Sequence, residues 1–68
     1  MADRLANRLR ELREAKGLTQ AQLADLIGMS RKTVNTVENG VFVPSTIVAL
    51  KLAAAFGCAV EDLFLLVD

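Results

Sequence analysis

Residues 19–40, TQAQLADLIGMSRKTVNTVENG, constrain the fold most tightly, because two sets of helix start and stop signals lie almost back to back. Thr19 can cap a helix, and Gln22, three residues on, completes a T-x-x-Q capping box. Gly28 stops that helix, since glycine takes a left-handed backbone without a Cβ penalty. Met29 follows, Ser30 can cap a second helix, and Gly40 ends it. The expected result is a helix over 20–27, a three-residue turn, and a helix over 31–39.

Two short helices joined by a glycine-containing turn form a helix-turn-helix unit. The second helix is the informative one. At about 100° per residue, Arg31, Lys32, Asn35, Thr36 and Asn39 share one arc, opposite Val34 and Val37. The apolar side can dock on a core. The polar arc carries cations and amides but no carboxylate. Arg or Lys can pair with guanine N7 and O6, Asn with adenine, and Thr with a thymine methyl group. Most polar helix faces are merely solvated, and such faces usually mix in acidic residues, which this one lacks.

The remaining elements follow from the same signals. Asp3 can cap a first helix running to about Lys16, with Leu5, Leu9 and Leu12 as its apolar stripe and Arg10 one turn from Glu14 on the solvated side. Gly17 stops it. Leu18 can staple to Leu23, and Ala24 suits a close helix crossing. Val41, Phe42 and Val43 form an apolar connector ending at Pro44. Ser45 can cap a helix over 46–56, apolar nearly all round and therefore central or covered by a partner. A short helix over 60–64 follows, with Glu61 and Asp62 favourable in its first turn. The final FLLVD continues that helix or forms a short strand. The reading is one all-α domain of five helices spanning residues 1–68.

Composition narrows the function. There is no histidine and a single cysteine, so neither a metal cluster nor an intrachain disulfide is expected, and Cys58 reads as a small core hydrophobe. No Gly-rich phosphate loop or carboxylate cluster is present, so an enzyme is not expected, nor is a cofactor. No apolar run approaches the ~18 residues of a membrane span, and Met1 is followed by a charged segment, so a cytoplasmic protein without an export signal is expected. Net charge is zero, but residues 1–40 carry seven basic and five acidic side chains while 41–68 carry one and three. That asymmetry is the one expected if the first part faces DNA.

The text LRELREAKGLTQAQLADLIGMSRKTVNTVENG, then PS, then ALKLAAAFGCAVEDLF, resembles the phage-repressor and Cro type of helix-turn-helix protein, also called the xenobiotic-response-element type. The resemblance runs from about Arg8 to Phe64 and implies a five-helix repressor-like fold. It implies that Arg31, Lys32 and Thr36, with Asn35 between them, reach base edges. It implies phosphate contact by Gln20 and Asn39, and beside them the hydroxyls of Ser30 and Ser45 are expected as further phosphate donors. It also implies a partly buried structural ion pair between Arg13 and Glu38. The chain departs from the family after ENG, where a basic residue is usual and Val41 stands instead.

The partners expected are double-stranded DNA and a second copy of the chain. One short helix-turn-helix reads too few base pairs alone. Ile47 stands in the 46–56 helix where the family often tolerates a charge, and Val60, Leu63, Phe64, Leu65, Leu66 and Val67 are more apolar residues than one side of a short helix can bury, so all seven are expected at a dimer interface. The expected function is a homodimeric, sequence-specific transcriptional regulator on a palindromic operator, with a restriction-modification controller as one variant. The alternative is an antitoxin or accessory module that binds a partner protein through the apolar connector and the 46–56 helix and also regulates its own operon.

Overall fold

The capping signals determine where the helices begin and end. In the structure, a computed structural model that describes residues 4–67, Thr19 accepts from the Gln22 backbone N–H at 3.0 Å while the Gln22 side chain accepts from the Thr19 N–H at 2.8 Å. Two N–H groups that the first helical turn leaves orphaned are thereby satisfied. The chain runs β1 (Arg4–Asn7), α1 (Leu9–Ala15), α2 (Gln20–Ile27), α3 (Arg31–Glu38), α4 (Thr46–Phe56), α5 (Val60–Leu63) and β2 (Phe64–Val67). Ser30 and Ser45 cap α3 and α4, accepting from Thr33 N–H and Val48 N–H. Gly28 closes α2 with φ near 69°, a conformation any other residue would occupy at a cost.

Five helices are present as expected, but the chain ends differ. Residues 4–7 do not extend α1; they form a strand paired antiparallel with β2, in register Leu5↔Leu66 and Ala6↔Leu65. Arg8 N–H continues the ladder to Leu63 C=O at 2.9 Å. Leu5 fits a helical stripe by spacing alone, yet it belongs to this sheet. The expected cap Asp3 lies outside the described residues. Asn7 does the work instead: its Oδ1 accepts from Leu9 N–H at 3.1 Å, and its Nδ2 donates to Val37 C=O at 2.9 Å. One side chain thus starts α1 and ties the sheet to the end of α3.

The core joins Leu9 of α1, Leu23, Ala24 and Ile27 of α2, Val34 and Val37 of α3, Val48, Leu52 and Ala53 of α4, and Leu63 of α5. Ala24 is buried between the two helices of the motif, where a larger side chain would push them apart. Cys58 is partly buried against this cluster. Leu63 is fully buried within its own subunit, at 0% exposure, so it is withdrawn from the expected dimer surface. Strand alternation divides the others: Leu66 shares a sheet face with Leu5 and Phe64, whereas Leu65 and Val67 point to the opposite face. The expected apolar set is therefore not one continuous surface.

Candidate nucleic-acid interface

The candidate surface is built on α3 because Val34 and Val37 anchor its inner side in the core. That leaves Arg31, Lys32 and Asn35 exposed and Thr36 half-buried on the outer side. Thr36 Oγ1 donates to Thr33 C=O at 3.0 Å, and Thr36 C=O accepts from Val41 and Phe42 N–H, which turns the chain sharply off the helix end. The one carboxylate of α3, Glu38, has a fully buried side chain, so the outward face presents no negative charge.

Glu38 is held by Arg13. The guanidinium donates from Nε to Oε2 at 2.6 Å and from Nη2 to Oε1 at 3.3 Å, while its Nη1 donates to Leu18 C=O at 2.7 Å. Arg13 is itself only 12% exposed. Burial alone pushes the Glu38 carboxyl up, but the bonds from Arg13 and Gln20, the charge of Arg13 and the bond from Arg10 together hold it below its ordinary value. The same bond to Glu38 raises the Arg13 pKa further. These contacts fix the end of α3 against α1 and the start of α2.

Gln20 stands at the junction of the two motif helices. A carboxylate only accepts, so the amide must face Glu38 with its nitrogen: Nε2 donates to Oε1 at 3.1 Å, and Gln20 Oε1 accepts from Asn35 Nδ2 at 3.4 Å. Gln20, Arg31, Lys32 and Asn35 line one shallow cleft. A second lies beside it, between Arg13, Thr19, Gln20, Ala21 and Arg31. Gln20 is therefore contiguous with Arg31, Lys32 and Asn35, whereas Ser30, Thr36, Asn39 and Ser45 line neither cleft. Ser45 accepts from its own helix and keeps a hydroxyl proton to donate, whereas the Ser30 hydroxyl also meets Thr33 Oγ1 at 3.0 Å, where either group can be the donor.

Two features were not apparent in the sequence. Arg10 is not paired with Glu14. It crosses to the end of α3, with Nε 3.4 Å from Glu38 Oε1 and Nη2 donating to Asn39 Oδ1 at 3.0 Å. Asn39 in turn points its nitrogen back at Asn35 C=O, 2.9 Å away. The only sequence signal was a second arginine on α1 three residues before Arg13, and local spacing assigns it equally well to solvent.

Comparison with known proteins places this geometry. A family model described as helix-turn-helix, of the Cro/C1 type, matches residues 9–63, which include all five helices. The chain belongs to the Cro/C1-type helix-turn-helix family. It is 40% identical over 60 residues to the helix-turn-helix-type transcriptional regulator YgzD of Bacillus subtilis, covering 88% of this chain and 91% of that one. It is also 40% identical over 60 residues to the competence pilus inhibition repressor of Acinetobacter baylyi, covering 88% of this chain and 54% of that protein. Among solved structures, it resembles the restriction-modification controller protein C.AhdI from Aeromonas hydrophila. The two are 47% identical with a TM-score of 0.76, and the match covers 81% of this chain and 83% of the controller. This helix-turn-helix protein is a DNA-binding transcriptional regulator and not an enzyme. No helix among its described residues is long and apolar enough to cross a membrane.

Proposed function

We propose that the protein is a cytoplasmic repressor that binds a palindromic operator as a homodimer, with α3 in the major groove. The observation that carries this is the exposed face of α3, whose only carboxylate is turned away from it and covered by Arg13, Arg10 and Gln20. Arg31, Lys32, Asn35 and Thr36 read base edges. Gln20, Ser30 and Ser45 act as phosphate contacts, as do the backbone N–H groups at the start of α2, and Asn39 marks the C-terminal edge of the reading helix. The likeness to a controller protein and to a repressor supports the regulatory direction. Selecting bound duplexes from a random pool tests the reading, and a two-fold repeat with half-sites about 34–36 Å apart is expected. On the selected duplex, Arg31→Ala and Lys32→Ala should each cost about 1–3 kcal/mol and relax preference at a single base pair. Unchanged binding by both variants would show that α3 is not the reading element.

Dimerisation is supported by apolar side chains that the subunit leaves open. Leu66 is 76% exposed and Ile47 66%, and Leu50 of α4 is also exposed. Leu5 and Phe64, on the same sheet face as Leu66, line a groove with Leu50 and Val60. Related by a two-fold axis, this side would cover itself and add the stability that so small a core lacks. Val60 and Phe64 contribute their half-exposed edges, and Leu65 and Val67 flank from the other sheet face. Leu66→Asp should give monomers in sedimentation, with helix content retained and operator affinity sharply reduced. A parent chain monomeric at micromolar concentration without DNA would overturn the preformed dimer.

The exposed connector favours one second reading. Val41 and Val43 stand 78% and 69% exposed on the side where a basic residue is missing. An antitoxin or accessory module would use them to hold a partner protein. Failure to enrich any DNA sequence in the selection, with a stable complex to a co-expressed protein, would favour that function.

A further inference from the structure

Arg10 carries a charge that the fold does not use up. Glu38 accepts from Arg13 at 2.6 and 3.3 Å and from Gln20 at 3.1 Å, and the Arg10 contact at 3.4 Å is the longest of the four. A carboxylate has about four acceptor positions and one negative charge. Arg13 neutralises that charge, so two guanidiniums around one carboxylate leave a net positive site. Arg10 is the exposed member, with 54% of its side chain in solvent against 12% for Arg13. Its bonds to Glu38 and Asn39 use two of the five N–H groups of a guanidinium, and the rest of the planar fork remains to donate.

The neighbouring amide makes this the decisive donor at that edge. An arginine cannot accept, so Asn39 must face Arg10 with its oxygen. Its nitrogen is consequently turned back to Asn35, 2.9 Å from the backbone carbonyl and 3.3 Å from Oδ1. Asn39 presents no forward donor in this arrangement. The cations of α3, Arg31 and Lys32, both lie in its first turn, and Val41 brings none after its last. Positive charge at the C-terminal end of the recognition helix therefore comes from Arg10, reaching over from α1. A half-exposed guanidinium with free parallel N–H groups suits a phosphodiester oxygen pair.

We propose that Arg10 is a DNA-phosphate ligand at the C-terminal edge of α3, and that Asn39 is its positioning residue rather than the phosphate contact itself. This rests on the DNA-binding reading above. The test is equilibrium binding of a selected duplex between 50 and 200 mM salt. Arg10→Gln should weaken every sequence alike, roughly tenfold, and should make the slope of log affinity against log salt shallower by about one per bound copy. Arg10→Lys should keep most of the slope. Asn39→Ala should weaken binding while leaving the slope in place. A parental slope for Arg10→Gln, or an Asn39→Ala slope reduced as far as that expected for Arg10→Gln, overturns the assignment.

Should Arg10→Gln fail to fold, the parent chain supplies the readout. The Arg10 side-chain N–H resonances should shift and exchange more slowly when duplex is added, and unmoved resonances overturn the proposal. A parent that binds no duplex at any salt overturns the underlying DNA-binding reading instead, a result distinguishable from a normal binder with an indifferent Arg10.

Discussion

Glu38→Ala is expected to destabilise the domain by about 3–5 kcal/mol, the range for breaking a buried ion pair by removing one partner. The reason is what remains. Arg13 keeps its charge in a site that is 12% exposed, with only the Leu18 carbonyl still accepting from it. Gln20 and Arg10 lose the same acceptor. At roughly 0.05–0.15 kcal/mol per residue, a domain of 68 residues holds about 3–10 kcal/mol in total, so the variant sits at or past the edge of folding. Urea unfolding followed by circular dichroism measures this, and a loss below about 1 kcal/mol would show that the pair is solvated rather than buried.

The same carboxylate makes an acid prediction. Its pKa is lower folded than unfolded, so ionised Glu38 contributes stability that is complete above its ordinary value of 4.5 and is lost as pH falls through the lower folded value. Glu38→Gln should lack this part of the acid sensitivity. An urea midpoint with the same acid dependence in parent and variant would place the titration elsewhere.

Leu63→Ala is the second large effect, at about 2–5 kcal/mol for a buried leucine. Leu63 is fully enclosed by its own subunit, and its carbonyl accepts from Arg8 N–H where β1 meets α1. The loss should be the same at low and high protein concentration, because no second copy is needed to bury it. Leu66→Asp should behave oppositely, with an effect visible only where the dimer forms. A stability loss for Leu63→Ala that grows with protein concentration would return this residue to the interface.

The motif was legible because its signals are local. Caps at Thr19, Ser30 and Ser45 and stops at Gly28 and Gly57 act within a few residues, and α2, α3 and α4 have the expected bounds, save Asn39, which caps α3 rather than ending it. The family resemblance added the Arg13–Glu38 partnership, which lies 25 residues apart and which no periodicity could supply. What escaped was set by pairings across the whole chain. Leu5 fits a helix by spacing but is drawn into a strand by Leu66. Arg10 has a plausible partner one turn away and takes a distant one. Leu63 reads as surplus apolar surface until the sheet is known to fold α5 back onto α1.

The β1–β2 pairing has a consequence for the order in which the molecule assembles. Joining Leu5 to Leu66 closes a loop of nearly the entire chain, whereas α2 and α3 meet across a three-residue turn. Closure entropy grows with loop length, so the clasp is the costlier contact to make and the cheaper one to lose. It should fray in native-state hydrogen exchange while the reading helices stay protected. Opening would then weaken the cover over Leu9 and Leu63 first. It would reach α3 through one listening post, the Asn7 amide on the Val37 carbonyl.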